Sequence, residues 1–553
     1  MMWISLCLAF LGLFPSTVLG DQRLKTCSDM RMLYSSKGFS VAGAPSAEIS
    51  GEHLRICPQG YTCCTSEMED NLAKRSLSEF EAMVRNASNA VQMMLTTQHN
   101  SFDSYFQELL DQSEKNLHRK LTHMYGLLCA ENSKIFKDLF SELRHYYKGA
   151  NINLEEVLNE FWSRLMECQF KHQNPHYQIS DEYLECMVKH AEPLRPFGEV
   201  PRFFKMRLTR VFIAARSFVR SLSLGTDVVK KVSQVPPSPE CARAMMRLMY
   251  CPHCRSMASV KPCNNYCLNI LKGCLANHAD LDSEWRNLVD SMVQVADRFN
   301  GPSNMESLVD TIYMKIAEAI QTMRDNRAHI SSKVLQGCGH LKSVSKRSTE
   351  DDPRRRGKPY PVEERPVSLA TPPMDRLVTE VKMKLRDVRQ LWVTLPSALC
   401  SEKVTAGLAN EDRCWNGQNR GRYLPEVMAD GLANQINNPE VEVDITKPDM
   451  TIRQQIMQLR IMTNRLRNAY NGNDVDFQDT SDDSSGSGSG DACLEDGCSR
   501  RRFFNAATRS PVVYAIPEQS GKSNPGNGGN VLQCSAASFH LLALALALPF
   551  FCR

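Results

Sequence analysis

Two groups of residues carry side chains whose type and spacing could do chemistry. In the C-terminal part, Ser485-Gly486-Ser487-Gly488-Ser489-Gly490 presents three hydroxyls, each followed by glycine, among Asp482, Asp483, Asp491 and Glu495. A serine hydroxyl on an accessible, extended backbone can accept a sugar. Glycine on its C-terminal side removes steric cover, and neighbouring acids can draw in a basic transferase. The same residues read equally well as a flexible linker. They also spell G-x-S-x-G, but a nucleophile elbow needs a strand-to-helix turn in a packed sheet, which an acidic run cannot supply. The second group is Cys251-x2-Cys254 with Cys263-x3-Cys267, Cys274 and His253. In a reducing compartment it resembles a zinc module; in an oxidising one it is a disulfide framework.

The chain ends decide between these compartments. Met1–Gly20 is an apolar run with Val18 and Gly20 at −3 and −1, a secretory signal cleaved before Asp21, although it lacks a basic n-region. The C-terminal stretch from Phe539 to Arg553 has an apolar core of about 11–14 residues, short of the roughly 20 that span a bilayer. Small residues precede it, the pattern of a glycosylphosphatidylinositol (GPI) signal. Asn527-Gly528-Gly529 fits best as the attachment triplet, which places the anchor on Asn527; Gly526, Gly529 and Ser535 are the alternatives. An oxidising route makes the cysteines disulfides, with no metal and no cofactor, and His253 a surface histidine. Of 21 cysteines, Cys7 leaves with the signal and Cys534 and Cys552 with the tail, leaving 18.

The elements that must position these residues are mostly helical. Phe106, Leu109, Leu110, Leu117, Leu121, Tyr125 and Leu128 recur at helical spacing, as do Leu154, Leu158, Phe161 and Leu165, and Trp285, Leu288, Met292, Val295 and Phe299. Ser76-x-x-Glu79 reads as a capping box opening a helix. Val441, Val443 and Ile445 alternate with acids, the one short strand candidate. Residues 342–373 are charged, proline-containing and poor in apolar side chains, a disordered basic loop. Helical pattern resumes over Met374–Leu395 and Ile452–Ala469. From Asp474 to Cys498 there are eight acids and no Lys or Arg, so 473–527 reads as a disordered stalk. The net charge of +4 over 553 residues gives no argument for nucleic acid. No H-E-x-x-H and no phosphate loop points to an enzyme. Asn86-Ala87-Ser88 is the one N-glycosylation sequon.

Three stretches, Gly51–Cys64, Cys251–Cys274 and Asn471–Gly490, resemble the glypicans, nearest the branch of glypicans four and six. The resemblance covers nearly the whole chain. Ser256 departs from the family motif, which usually has glycine there. The resemblance implies an elongated, mostly α, disulfide-crosslinked domain with a cysteine-rich N-terminal lobe similar to that of Frizzled. It implies the pairs Cys27–Cys63, Cys57–Cys251, Cys64–Cys254, Cys186–Cys338, Cys241–Cys274, Cys263–Cys414 and Cys267–Cys400. Cys129 and Cys168 are extra to the pattern and could pair or be free; Cys493 and Cys498 could form a local bridge. The organisation expected is a signal over 1–20, a helical core over 21–472 containing the 342–373 loop, a glycosaminoglycan-bearing stalk over 473–527 and a removed propeptide over 528–553. Ser485, Ser487 and Ser489 would carry heparan sulfate covalently. The implied function is that of a non-enzymatic, GPI-anchored co-receptor on the outer leaflet of the plasma membrane, with a monomeric core. It would modulate growth factors and morphogens of the Wnt, FGF, BMP and Hedgehog classes.

Overall fold

The computed structural model describes residues 25–125, 128–300, 304–343 and 374–474. The principal helices among them are α1 (Ser28–Ser36), α2 (Ser66–Tyr125), α3 (Leu128–Lys148), α4 (Leu154–Gln173), α5 (Asp181–Lys189), α6 (Thr209–Val232), α7 (Pro239–Met249) and α8 (Asn264–Cys274). They continue as α9 (Asp282–Phe299), α10 (Ile312–Asp325), α11 (Arg327–Cys338), α12 (Met374–Asp387), α13 (Leu391–Leu399) and α14 (Met450–Asn471). Strand is confined to two antiparallel pairs. In the first, β1 (Ile49–Ser50) pairs with β2 (Tyr61–Thr62); in the second, β3 (Tyr177–Gln178) pairs with β4 (Lys342–Ser343). Lys342 and Ser343 are therefore held by backbone pairing, where the charge pattern placed the start of a disordered loop.

Helix α2 organises everything else. Its 60 residues rise 1.5 Å each and span about 90 Å. Two separate cores form along it. Met68, Leu72, Phe80 and Val84 enter a cysteine-rich core with α1, α7 and α8. Val91, Leu95, Phe102, Phe106, Leu109, Leu117 and Leu121 enter a purely helical core with α3, α4, α6, α9 and α14. The anticipated stripes are the buried faces: Trp285, Leu288, Met292 and Val295 are fully enclosed on α9, as are Leu459 and Leu466 on α14. Side chains of this size each contribute about 1.5–3 kcal/mol on burial. Phe102 meets Phe218 at 4.9 Å and Phe299 at 5.1 Å between ring centroids, which knits α2, α6 and α9 together.

Two local expectations are corrected. Ser76 does not open a helix; it lies ten residues inside α2, and its Oγ donates to the Ala73 carbonyl at 2.8 Å. The start is marked by Thr65, whose Oγ1 accepts from the Met68 amide at 3.2 Å. Glu79 is freed from capping and instead accepts from Lys37, the residue that follows α1, at 2.7 Å, Arg75 at 2.8 Å and the Tyr250 hydroxyl at 2.7 Å. Burial raises its carboxyl pKa, but these donors outweigh that and hold it below the ordinary range. Nor do Val441, Val443 and Ile445 form a strand. The Val441 amide donates to Asn438 Oδ1 at 3.0 Å and the Thr446 amide to Asp444 Oδ1 at 3.0 Å. Side-chain turns thus satisfy a backbone that alternation alone would have assigned to a sheet.

His278 is a buried group with a pH consequence. It packs 6.3 Å from the Trp392 ring, and its Nδ1 has no protein partner among the described residues. Burial pushes its pKa from 6.5 down to about 4. Between these values the unfolded chain binds a proton that the native imidazole refuses. Stability therefore falls as pH drops through that window, by at most about 3 kcal/mol. Urea unfolding midpoints should fall between pH 7 and pH 4.5 in the parent, and His278→Gln should flatten that difference; an undiminished difference in the variant would exclude His278 as its source.

Candidate functional site

The cysteine-rich lobe is built by bringing four stretches of chain to one place. Residues 25–64 wrap the start of α2, and the carboxylate of Glu69, itself 2% exposed, collects them. It accepts from the backbone amides of Arg55 (2.8 Å), Ile56 (3.0 Å) and Cys57 (2.7 Å). Three backbone donors satisfy this buried carboxylate, and the contact fixes the segment that carries Cys57 beside the Cys251–Cys254 turn. There Cys57 bonds to Cys251 and Cys64 to Cys254, while Cys27 bonds to Cys63. Cys241–Cys274 clips α7 to α8. Cys263–Cys414 and Cys267–Cys400 fasten the later chain to the same helix. The seventh bridge, Cys186–Cys338, joins α5 to α11 beside the helical core. In the chain-entropy account, loops of 133 to 194 residues correspond to about 4–5 kcal/mol per crosslink, less any native strain.

These bridges decide the chemistry of the cluster. Every sulfur of Cys251, Cys254, Cys263 and Cys267 is in a disulfide, so none is a thiolate for zinc. His253 is not the surface residue expected. It is largely enclosed, its Nδ1 has no partner among the described residues, and burial lowers its pKa. It lines a cavity of about 310 Å³ together with Met83, Met245, Met249, Pro252 and Leu399. Cys186, His190 and Cys338 also converge. Their sulfurs form a disulfide with His190 Nδ1 3.8 Å from each, which is a poor metal site while oxidised.

One organising residue gave no sequence signal. Asn269 is fully buried on α8 and holds the irregular stretch between Cys400 and α14. Its Nδ2 donates to the Tyr423 hydroxyl (3.0 Å) and the Glu426 carbonyl (2.9 Å); its Oδ1 accepts from the Met428 amide (2.8 Å). Gly273 on the same helix lets Val441 approach, since a Cβ there would stand 2.7 Å from the Val441 Cβ. Ser256, at the family glycine position, has φ +55°, a left-handed conformation. Its Oγ donates to Glu48 Oε1 at 2.7 Å, which offsets part of the roughly 1–2 kcal/mol a side chain costs there.

Asn86 is exposed on α2, and Ser88 of its sequon is buried. Cys168 is half-buried on α4, and the side chain of Cys129 lies outside the described residues. So do Ser485, Ser487 and Ser489, Cys493 and Cys498, Asn527 with Gly526, Gly529 and Ser535, both chain ends and residues 344–373. No helix among the described residues is long and apolar enough to cross a membrane.

The described body is mostly helical, with cysteines oxidised into long-range crosslinks. A family model described as Glypican matches residues 10–552, and the chain belongs to the glypican family. It is 60% identical over 499 residues to Glypican-1 of Gallus gallus, covering 90% of each chain. The crystal structure of C-terminally truncated glypican-1 superposes with TM-score 0.74 at 55% identity, covering 82% of this chain and 100% of that one. Dally-like protein in complex with O-palmitoleoyl serine gives TM-score 0.63 at 29% identity, covering 81% of this chain and 99% of that one. The first two of these relatives bear the name Glypican-1, not that of the four and six branch which the motifs suggested. Glypicans are cell-surface heparan sulfate proteoglycan core proteins and not enzymes, and that is the class of this chain.

Two expectations follow. Ser256→Ala keeps the left-handed strain and loses the Glu48 bond, so it should be less stable than the parent by about 1–2 kcal/mol. Ser256→Gly should recover part of that loss; guanidinium unfolding of the three proteins checks the order, and an alanine variant as stable as the parent would contradict it. Protease cleavage confined to residues 344–373 should leave one band on a non-reducing gel and two on a reducing gel, because Cys263–Cys414 and Cys267–Cys400 straddle the cut.

Proposed function

We propose that Ser485, Ser487 and Ser489 carry the heparan sulfate chains, that Asn86 carries an N-glycan, and that Asn527 receives the GPI anchor, with Gly526, Gly529 and Ser535 as the alternatives. The supporting observation is that the family match runs through the acidic Ser-Gly stretch to residue 552. The last described helix, α14, ends at Asn471 with Gly472 in a left-handed cap, so the serines follow the folded body after a short interval. About 40 residues separate Ser487 from Asn527 in the sequence. The sulfated chains would then begin near the outer leaflet and gather basic growth factors and morphogens of the Wnt, FGF, BMP and Hedgehog classes by steering and counterion release.

A second reading concerns the core itself. The Dally-like neighbour is described in complex with O-palmitoleoyl serine. In this chain the cavity beside His253 is lined by Met83, Met245, Met249 and Leu399, soft apolar side chains that adapt to an alkyl chain. Direct capture of an acylated ligand there would act beside the sugar.

Heparinase treatment should collapse a high-mass smear to a core near the polypeptide mass, and triple Ser→Ala replacement at 485, 487 and 489 should remove the smear. An unchanged smear in the triple variant would move attachment elsewhere. Phosphatidylinositol-specific phospholipase C should release the protein from cells. Met245→Glu should abolish labelling by a palmitoleoylated photoprobe while leaving retention on heparin unaltered; persistent labelling would exclude the cavity.

A further inference from the structure

The end of α14 is a basic surface built from four elements. From Met450 to Asn471 the helix contains Arg453 in its first turn, Arg460 paired with Glu284 at 2.8 Å, and Arg465 and Arg467 in its last two turns, and no acid. Arg298, at the end of α9, stacks on Tyr470 with 3.9 Å from its guanidinium carbon to the ring centroid. Arg467 precedes Tyr470 by three residues and so shares its face. Arg210, at the start of α6, packs against Gly472, where an added Cβ would stand 2.7 Å from the arginine Cγ. Arg210 and Arg467 are exposed and make no hydrogen bond or ion pair among the described residues. Arg216 stacks on Tyr146 at 4.6 Å, and Arg220 donates to the Gly149 carbonyl at 3.2 Å.

The chain leaves this surface at Asp474, and its first carboxylate is already captured there: Tyr146 donates its hydroxyl to Asp474 Oδ2 at 2.6 Å. Asp476, Asp479, Asp482 and Asp483 come next, with no basic residue among them. They lie two to nine residues beyond Asp474, within about 7–30 Å of extended chain. A segment tethered so closely is present at millimolar effective concentration, so individually weak ion pairs suffice to hold it.

We propose that the arginine surface formed by Arg210, Arg298 and Arg467 is the docking site of this chain's own acidic segment, residues 476–483. Docking fixes the direction in which the chain leaves the helical body and keeps the arginines from other polyanions. The inference does not depend on whether Ser485, Ser487 and Ser489 carry sugar, and the test uses a chain that cannot.

The full-length mature protein with Ser485, Ser487 and Ser489 replaced by alanine is examined by hydrogen–deuterium exchange at 50 mM and 1 M NaCl. At low salt, amides 476–483 should exchange about tenfold more slowly than in unstructured chain. The protection should vanish at high salt, in Arg210→Glu/Arg467→Glu and in Asp476→Asn/Asp479→Asn, the last pair altering nothing in the folded body. Deleting residues 476–483 should raise retention on immobilised heparin by exposing the surface. Unprotected amides at low salt would overturn the proposal. So would equal heparin retention with and without the segment, with Arg467→Glu weakening both alike, which would assign the surface to sulfated sugar instead.

Discussion

A single uninterrupted helix is the constraint on which the remaining structure depends. α2 is too long to be stabilised by one core, and its sequence does not try: the apolar positions from Met68 to Val84 face the cysteine-rich lobe, and those from Val91 to Leu121 face the helical one. The two cores share no other element of comparable length. Each side can be assembled by different means while the helix keeps them in register. On one side aromatic and aliphatic layers pack as in any helical bundle. On the other, short segments with little apolar surface of their own are held by sulfur and by buried amides.

That division explains what was legible in the sequence. The helical core was readable because amphipathic period is a local property; Trp285 to Phe299 and Leu154 to Leu165 announce their buried faces without reference to any partner. The cysteine lobe was not readable in this way. Spacing left zinc and disulfides open, and the pairing scheme came only with a family resemblance. Ser76 misled because a capping box and an ordinary helical turn share the same residue types, and only tertiary context gave Glu79 to Lys37 and Tyr250. Val441 and its neighbours misled because half-burial alternates along any extended chain laid on a surface, with or without a paired strand. Asn269 was invisible because a buried amide looks, in sequence, like an exposed one.

Ser256 shows how such a framework tolerates departures. A side chain stands where the motif has glycine, in a backbone conformation glycine adopts freely, and the same hydroxyl that marks the departure is bound to Glu48. The disulfides around it, Cys64–Cys254 among them, keep the turn in place whichever residue occupies it. Local conformational cost is therefore shared between a compensating hydrogen bond and covalent constraint.

The placement of those disulfides also sets how the body responds to mechanical load. Cys414 is the last crosslinked residue among those described, and α14 with the stretch laced by Asn269 lies beyond it. A pull on the C-terminal side would therefore meet only noncovalent contacts at first, and about 60 residues could peel away, lengthening the chain by up to roughly 200 Å. The Cys263–Cys414 bridge would then arrest the extension. The described body thus places a noncovalently held segment in series with a covalent stop, so that a pull from its C-terminal side lengthens it without unravelling the lobe.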